Sequence, residues 1–268
     1  MKDQLRQDIY NHAKNWILEA GKHLRDVIDE PLYIDTKSNP NDLVTQMDRE
    51  TEQFFTKHIK ETYPDHRILS EEGFGDDVTS LEGFVWIIDP IDGTMNFVHQ
   101  KKHFAISIGI YHEGIGQIGL IYNVMEDILY SSIKGQGAYK NNKRLPKLDT
   151  NLTLEESILV LNSFWACENS RINETKIQQL IKKVRGTRSY GSAALEFAYV
   201  AEGIADGYLS MQLAPWDYAA GVLIMDEVGG ITTKADGAPI DILHDSTIFS
   251  CNRELHDEIT VNYVELKQ

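Results

Sequence analysis

The amino-acid sequence predicts an α/β fold on the strength of three observations. Apolar residues recur with helical spacing through the first thirty positions. Between Arg67 and Tyr139, short apolar runs alternate with turn residues, which is typical of an antiparallel meander. After residue 150, helical and strand-like segments alternate, as they do in α/β layers. With 268 residues the chain is long enough for about two domains, and we expect them at 1–150 and 151–268.

Two helices are expected at the start of the chain. The first carries an apolar stripe and is closed by Pro31. The stripe consists of Ile9, Ala13, Trp16, Ile17, Ala20, Leu24 and Ile28. The second helix begins near Thr45 to Asp48, after a polar loop, and continues to about Tyr63. The strands of the meander are expected at 68–69, 84–88, 105–111, 117–123 and 128–133.

The second half is predicted to mix helices and strands. A polar connector at 140–153 separates it from the meander and places the domain boundary near residue 150. A buried strand is expected at 158–161, and further strands are expected near 207–210 and 247–251. Helices are expected at 173–184, 193–201, 218–228 and 253–266.

Charge and composition exclude several classes of protein. Asp and Glu number 41 against 26 Lys and Arg, so the formal net charge is −15. A field of that sign repels phosphate backbones, which argues against nucleic acid as a partner. The longest wholly apolar stretch, 84–88, is too short for a membrane span, and the N-terminus lacks the apolar segment of a signal peptide. Cys167 and Cys251 lie far apart and are expected to be reduced, so we expect a cytoplasmic protein without a membrane partner.

The segment Asp89-Pro90-Ile91-Asp92-Gly93-Thr94 is the strongest candidate for chemistry. Asp89 directly follows the longest apolar run, and acidic groups at the end of a buried strand are common in the active sites of α/β proteins. Gly93 and Thr94 are expected to begin a helix, whose free N–H groups attract phosphate. Two carboxylates three positions apart can share hard cations, which prefer oxygen ligands. The alternative is that Asp92 only caps the helix.

Three further segments place acids at the ends of predicted elements. They are Ser70-Glu71-Glu72-Gly73, Asp42 to Asp48, and Trp216-Asp217. Each segment alone also fits a simpler interpretation, because adjacent acids usually decorate a solvated loop and Asp217 is well placed to cap a helix. Taken together, the segments place carboxylates where the fold could bring them into one site.

Two other motifs have the letters of a binding site without the expected context. Gly114-Ile115-Gly116-Gln117-Ile118-Gly119 matches the dinucleotide-binding pattern, but strand-like sequence follows it where a helix should begin. We interpret its glycines as turn residues, which argues against a nicotinamide-dependent oxidoreductase. His99 and His103 have the i, i+4 spacing of zinc ligands, but His103 is expected to open a strand. Both are expected to be surface histidines.

The order and spacing of the acidic motifs resemble those of the inositol monophosphatase family. The resemblance rests on Asp89 to Phe97, Leu69 to Gly73, Asp42 to Asp48, and Trp216-Asp217 with the later pair Gly229-Gly230. It covers about the whole chain. It implies a layered αβαβα sandwich, Mg²⁺ dependence, sensitivity to Li⁺ and a homodimer. Because family members are phosphatases, it also implies a small phosphorylated substrate.

The resemblance further implies roles for individual residues. The implied ligands of two to three Mg²⁺ ions are Glu71, Asp89, the carbonyl of Ile91, Asp92 and Asp217. Asp89 would contact two ions, and Glu71 would also lie near a third, weaker ion. The implied catalytic residues are Glu71 and the pair Thr94 and Asp48, which would orient and deprotonate the attacking water. The implied substrate contacts are Lys37, Asp92, Gly93, Thr94, Ser192, Ala193 and Ser210.

One position departs from the family pattern and leaves the substrate open. Seven residues before Asp217, inositol-specific members carry a Glu that binds inositol hydroxyls, whereas this chain has Ser210. Since such groups decide specificity more than catalysis, we expect hydrolysis of inositol monophosphate or a related ester, with fructose 1,6-bisphosphate or NADP(H) as alternatives. A non-enzymatic protein that binds cations or phosphate is the remaining alternative. The presence of both Thr94 and Asp48 argues against it.

Overall fold

Helices and strands follow one another in nearly the predicted order. The computed structural model describes residues 1–31, 33–36 and 43–267. Its α-helices are α1 (Asp3–Val27), α2 (Gln46–Thr62), α3 (Thr94–Gln100), α4 (Glu174–Lys183), α5 (Ala193–Glu202), α6 (Pro215–Val228) and α7 (Arg253–Tyr263). Its strands are β1 (Ile34–Thr36), β2 (Leu43–Thr45), β3 (Arg67–Ser70), β4 (Phe84–Asp92), β5 (Ala105–His112), β6 (Ile115–Asn123), β7 (Ile128–Ile133), β8 (Gly137–Lys140), β9 (Lys143–Arg144), β10 (Ile158–Leu161), β11 (Gly186–Arg188), β12 (Gly207–Leu213), β13 (Ile231–Thr233) and β14 (Ser246–Cys251).

The two N-terminal helices form where their apolar stripes predict them. The stripe of α1 is buried against the rest of the protein. Helix α2 begins directly after Thr45, whose hydroxyl accepts a hydrogen bond from the Met47 N–H at 3.1 Å. Such a cap satisfies an N–H that the first helical turn leaves without a partner. It also fixes Asp48 in the first turn of α2.

A seven-stranded sheet occupies the N-terminal half, with β3 to β9 in sequence order. Its neighbouring strands are antiparallel except β3 and β4, which are parallel. The prediction of a purely antiparallel meander is therefore wrong at its first strand. The reason is the long connection 71–83, which returns the chain to the start of the sheet before β4 begins, as a parallel pair requires.

A five-stranded sheet of mixed direction occupies the C-terminal half, in the order β11-β10-β12-β14-β13. Strand β10 is parallel to β11 and β12, whereas β14 is antiparallel to β12 and β13. Helix α3 begins at Thr94, as predicted, but the sequence patterns do not predict β1, β2, β8, β9, β11 or β13. Elements this short carry too few residues for a periodicity to be recognised.

The helices and sheets stack in the order αβαβα, which confirms the implied architecture. Helices α1 and α2 pack on one face of the seven-stranded sheet, against Trp86 and Ile88. Helices α5 and α6 lie between the sheets, with Val85 and Ile87 on one side and Ile248 on the other. Helices α4 and α7 cover the outer face of the five-stranded sheet. Because successive side chains of a strand point to opposite faces, the apolar run of β4 contributes to two cores.

Strand β4 continues beyond its predicted end at Ile88 as far as Asp92. Its register against β5 shifts between Asp89 and Asp92, so the segment around Pro90 forms a bulge. Proline lacks an N–H to donate, and it is tolerated here because the pairing of β3 with β4 stops at Ile88. The bulge leaves both Asp89 and Asp92 buried.

Two further expectations concern membrane-spanning helices and the state of the cysteines. Within the described ranges, no helix has both the length and the apolar character needed to cross a membrane. Both cysteines are free thiols, with Cys251 buried and Cys167 exposed.

Candidate functional site

Three aspartates from two elements form one cluster. Asp89 and Asp92 lie on either side of the β4 bulge, and Asp217 lies in the first turn of α6. One carboxylate oxygen of each lies within 4.8 Å of the other two. Asp89 and Asp92 are buried, and Asp217 is partly buried. Carboxylate oxygens at these separations fit a hard divalent cation such as Mg²⁺.

The carboxylate of Asp92 caps a helix in the other half of the chain. It accepts hydrogen bonds from the N–H groups of Ala193 and Ala194 at 3.1 and 2.9 Å and from the Ser192 hydroxyl. These donors form the start of α5. The alternative in which Asp92 caps its own following helix is wrong, because the N-cap of α3 is Gly93, at φ 91°.

Asp217 combines the two roles that its position predicts. One of its oxygens accepts a hydrogen bond from the Ala214 N–H at 2.7 Å and so caps the first turn of α6. Its carboxylate also faces Asp89 and Asp92. The cap therefore holds the side chain in the orientation in which it joins the cluster.

Burial and mutual repulsion disfavour the charged form of this cluster. Burial, followed by the charges of Glu71 and Asp92, raises the pKa of Asp89 well above its usual range. Burial also raises the pKa of Asp92 to about 7, although the hydrogen bond from Ser192 lowers it. The pKa of Asp217 is raised by burial and then by the charge of Asp92. A cation bound among these carboxylates would relieve the repulsion.

Glu71 approaches the cluster from the loop after β3. A hydrogen bond between Glu71 and Asp89 adds to the rise in the pKa of Asp89. The loop is held by Glu52, which the sequence patterns do not single out as functional. A signal was nevertheless present, because Glu52 shares the buried stripe of α2 with Asp48 and Phe55, where an acid is unusual.

Asp48 and Thr94 form the pair that the resemblance implies. The Thr94 hydroxyl donates to Asp48 Oδ1 at 3.0 Å, with the Ile91 carbonyl as a second acceptor at 3.1 Å. The other Asp48 oxygen accepts from the N–H and the hydroxyl of Thr45, at 2.8 and 2.6 Å. Burial raises the pKa of Asp48 to about 6 against the effect of these hydrogen bonds. Asp48 is therefore mainly ionised at neutral pH, and the Thr94 oxygen can accept a hydrogen bond from water.

A cavity of about 270 Å³ has Asp92 and Asp217 in its wall. The predicted substrate contacts Ser192, Ala193 and Ser210 also border it. The cavity wall also contains residues that the sequence patterns do not single out. They include Asn162, Trp165, Ser189, Glu196, Tyr208 and Gln212. Ser210 lies on β12 at the start of a register shift against β14.

The turn at 190–191 closes tightly over the start of α3. Glu196 accepts from the N–H groups of Tyr190 and Gly191 at 2.7 and 3.2 Å. Asn96 donates to the Tyr190 carbonyl at 2.6 Å. A Cβ on Gly93 would lie 3.0 Å from the Gly191 carbonyl oxygen, so only glycine fits without displacement. The turn and the helix start therefore hold each other in place.

Most of the predicted site residues lie in one region, and the remainder lie outside the described residues. The residues brought together are Asp48, Glu71, Asp89, Ile91, Asp92, Gly93, Thr94, Ser192, Ala193, Ser210 and Asp217. Lys37 and Asp42 lie outside the described residues. Among the described residues, the aspartate cluster is the one group that offers three metal-ligating side chains, and it does not include His99 or His103.

The glycine motif is not a nucleotide-binding loop. Gly114 occupies the turn between β5 and β6, at φ 73°, as predicted. Gly116 and Gly119 lie within β6, so their interpretation as turn residues is wrong. A Cβ on Gly119 would come within 2.7 Å of the Ala220 carbonyl oxygen. Glycine is needed there because α6 packs directly on the strand.

Similarity to known proteins extends over almost the whole chain. A family model described as the inositol monophosphatase family matches residues 5–268. The inositol-1-monophosphatase of Bacillus subtilis (strain 168) is 54% identical over 256 residues, which is 96% of each chain. The crystal structure of inositol monophosphate bound SaIMPase-II, a Staphylococcus aureus protein, is 38% identical with a TM-score of 0.86, covering 96% of this chain and 93% of that chain. The crystal structure of an IMPase/NADP phosphatase complexed with Mg²⁺ and phosphate is 27% identical with a TM-score of 0.88, covering 96% of this chain and 95% of that chain.

Proposed function

This chain belongs to the inositol monophosphatase family, and from that premise we propose that it hydrolyses inositol monophosphate to inositol and inorganic phosphate, with Mg²⁺ as its cofactor. The observation that carries the proposal is the aspartate cluster, with oxygens within 4.8 Å of one another, in the site that also holds the Thr94–Asp48 hydrogen bond. The choice of substrate is supported by the Bacillus subtilis relative, named an inositol-1-monophosphatase, and by SaIMPase-II, solved with inositol monophosphate bound.

The cations would be held by the acidic residues on both sides of the β4 bulge. Asp89 would contact two ions. With Glu71 and the Ile91 carbonyl it would hold the first, and with Asp92 and Asp217 it would hold the second. A third, weaker ion would lie near Glu71. When bound, Mg²⁺ supplies positive charge to the phosphate oxygens and lowers the pKa of water.

Thr94 and Asp48 would prepare the nucleophile. The Thr94 hydroxyl donates a hydrogen bond to Asp48 Oδ1, so its oxygen would accept the hydrogen bond from the attacking water. As the water attacks phosphorus in line with the leaving oxygen, its proton would pass through Thr94 to Asp48. The alkoxide released when the P–O bond breaks would take a proton from solvent water. An acid with a pKa of about 6 is suited to this task, because it is ionised near neutral pH and still basic enough to accept the proton.

Substrate binding would be divided between the start of α3 and the cavity. Backbone N–H groups at Gly93 and Thr94 would hold the phosphate. Asp92 and Ser210 border the cavity that would receive the ring hydroxyls, together with Ser192 and Ala193. The Ser192 hydroxyl already donates to Asp92, and its oxygen accepts from the Leu195 N–H at 3.3 Å, so one lone pair of that oxygen is left to accept from substrate. Lys37 completes this proposed set, although it lies outside the described residues.

Phosphate esters other than inositol monophosphate are the second candidate substrates. Ser210 borders the cavity where inositol-specific members of the family carry a Glu, which leaves more room and one fewer negative charge. An IMPase/NADP phosphatase is also among the structural neighbours. These observations favour NADP(H), and fructose 1,6-bisphosphate for the same reason, as additional substrates. The paired Thr94 and Asp48 argue against a protein that merely binds cations or phosphate.

Several wider properties belong to the same proposal. We infer that the protein is a cytoplasmic homodimer inhibited by Li⁺, and that residues 1–150 supply most metal ligands while residues 151–268 supply Asp217 and the substrate cavity. Light scattering of the purified protein would measure the oligomeric state, and a LiCl titration of its activity would measure the inhibition.

Phosphate release from a panel of phosphomonoesters tests the proposed function. The panel contains inositol 1-phosphate, fructose 1,6-bisphosphate, NADP⁺ and glycerol 2-phosphate, each assayed with Mg²⁺ and with EDTA. We expect release from inositol 1-phosphate that depends on Mg²⁺. Release that persists in EDTA would contradict the metal assignment, and activity confined to another ester would contradict the substrate.

A further inference from the structure

Glu52 is a buried carboxylate that serves the loop around Glu71. It is fully buried in α2. Its Oε1 accepts from the Ser70 hydroxyl at 2.7 Å and from the Phe74 N–H at 2.7 Å. Its Oε2 accepts from the Glu72 N–H at 2.6 Å. Of the three donors, Ser70 precedes Glu71 in the chain, and Glu72 and Phe74 follow it.

This loop follows the end of β3, and Glu52 supplies the partners that a neighbouring strand would otherwise supply. The pairing of β3 with β4 ends at Ser70. Beyond it, the N–H groups of Glu72 and Phe74 point to the Glu52 carboxylate instead of to a strand. A buried carboxylate is stable only when its lone pairs are satisfied, so Glu52 and the loop depend on each other.

Glu52 lies one helical turn after Asp48 on the same face of α2. Asp48 accepts the hydrogen bond of Thr94, and Glu52 holds the loop of Glu71. Residues at i and i+4 of a helix lie one above the other. One face of α2 therefore sets the position of the nucleophile pair and of the acidic loop at the same time.

We propose that Glu52 is a positioning residue that holds Glu71 at the distance from Asp89 at which both can bind the same cation. The inference rests on the proposed function, in which Glu71 is a metal ligand. Glu52 itself lies outside the aspartate cluster, and its two oxygens accept three hydrogen bonds from the loop. Groups that orient a metal ligand in this way typically contribute a factor of about 10–100 to metal affinity.

Glu52→Gln tests this role, because the amide has the shape of the carboxylate but only one acceptor oxygen. Its NH₂ group would face an N–H or hydroxyl donor of the loop, so at least one of the three hydrogen bonds would be lost. We expect the affinity of the substrate-free protein for Mn²⁺, measured by titration calorimetry, to fall about 10- to 100-fold. We expect kcat at saturating Mg²⁺ to stay near that of the wild type, and amide exchange at Glu72 and Phe74 to become faster.

Glu227→Gln is the matched control. Glu227 is also a helical glutamate that holds a turn, through the N–H groups of Gly135 and Gly137, both at 2.6 Å. It lies at the far end of α6 from Asp217. We expect this substitution to lower the unfolding temperature while leaving Mn²⁺ affinity unchanged.

The outcomes separate this inference from the proposed function. If Glu71→Gln weakens Mn²⁺ binding and Glu52→Gln does not, Glu52 has no positioning role and the inference is overturned. If Glu71→Gln itself leaves binding unchanged, the metal assignment in the proposed function is wrong. Should Glu52→Gln fail to fold, Ser70→Ala removes one of the three donors and is expected to weaken Mn²⁺ binding less, in the same direction. Unchanged binding in Ser70→Ala together with unchanged exchange at Glu72 would then overturn the inference.

Discussion

The two halves of the chain build the site in different ways. In the N-terminal half, Asp89, Asp92 and Thr94 come from one continuous segment, and Asp48 and Glu52 come from one helical face. In the C-terminal half, the cavity is assembled from short pieces of β12, α5 and the segment before α4, with Asp217 contributed by α6. In the proposed function, chemistry that needs fixed distances between a few atoms would be held by local, rigid segments. The contacts proposed to choose the substrate are spread over elements that can vary separately.

The two halves also differ in the charged and neutral groups that they place around the site. The N-terminal half buries acids whose pKa values are raised, among them Asp48, Asp89 and Asp92. The C-terminal wall of the cavity contains two acids whose pKa values are raised by burial, Glu196 and Asp217, among neutral groups such as Asn162, Ser210 and Gln212. Substitutions of the buried acids should abolish or slow the reaction. Substitutions of the neutral residues in the cavity wall should change which substrate is preferred.

The largest effect is expected for Asp89→Asn. The amide removes the charge that would bind two cations, so turnover at saturating Mg²⁺ should fall to background while the fold is kept. Because repulsion in the metal-free cluster is lower, the unfolding temperature in EDTA should be equal to or above that of the wild type. Phosphate release and thermal unfolding measure the two effects.

Asp206→Asn is the control for Asp89→Asn. Asp206 accepts the Ile158 N–H at 2.6 Å in the C-terminal half, so its loss should lower stability and spare activity. Near-normal activity of Asp89→Asn would show that the continuous segment does not hold the metals.

A smaller loss of activity is expected for Thr94→Val. Without the hydroxyl, water loses its path to Asp48, and kcat should fall by about 10²–10⁴, the usual contribution of general-base catalysis. The Mg²⁺ concentration for half-maximal activity should change little. Steady-state kinetics over a Mg²⁺ titration separates the two quantities.

Thr94→Ser keeps the hydroxyl and should retain most of the wild-type kcat. If Thr94→Val is as active as the wild type, the hydrogen bond between Thr94 and Asp48 is structural and the nucleophile is prepared in another way.

Ser210→Glu tests the C-terminal half, where we expect a change of preference. The carboxylate adds an acceptor for inositol hydroxyls and repels additional phosphate groups. The ratio of kcat/KM for inositol 1-phosphate to that for fructose 1,6-bisphosphate or NADP⁺ should rise by about ten-fold, the size of one or two hydrogen bonds.

The side chain introduced by Ser210→Gln is as long as that of Ser210→Glu but carries no charge. Comparing the two variants therefore separates the effect of charge repulsion from that of hydrogen bonding. A ratio that stays constant in both variants, or that moves towards the polyanionic esters, would show that position 210 does not select the substrate.

The smallest effect is a pH dependence of stability in the metal-free protein. Asp92, with a pKa of about 7, and Asp48, with a pKa of about 6, bind protons in the folded state that they release when unfolded, because their unfolded pKa is about 3.8. The free energy of unfolding should therefore rise as the pH falls from 8 to about 5.5. A ten-fold change in proton affinity is worth about 1.4 kcal/mol, so we expect a rise of several degrees in unfolding temperature.

Calorimetry in EDTA and in saturating Mg²⁺ measures this dependence. Mg²⁺ should flatten it, because a cation replaces the protons in the cluster. An unfolding temperature that rises with pH in EDTA would contradict the raised pKa values. In Asp89→Asn, the unfolding temperature in EDTA should depend less steeply on pH than in the wild type.

The sequence by itself predicted the elements and motifs that depend on short-range information. The stripe of α1, the start of α2 after Thr45 and the acidic segment at 89–94 all express preferences of residues within a few positions of one another. Their order and spacing were sufficient to indicate the family and the proposed metal ligands.

Only the tertiary structure decided which distant groups meet. Asp92 caps α5 instead of α3, Glu52 holds the loop of Glu71, and β3 lies parallel to β4. Ser210 reaches the cavity because β12 shifts register at that position. The physical reason is that a buried carboxylate or N–H must find a partner, and packing of the layers determines which partner is near. No spacing along the chain encodes that choice.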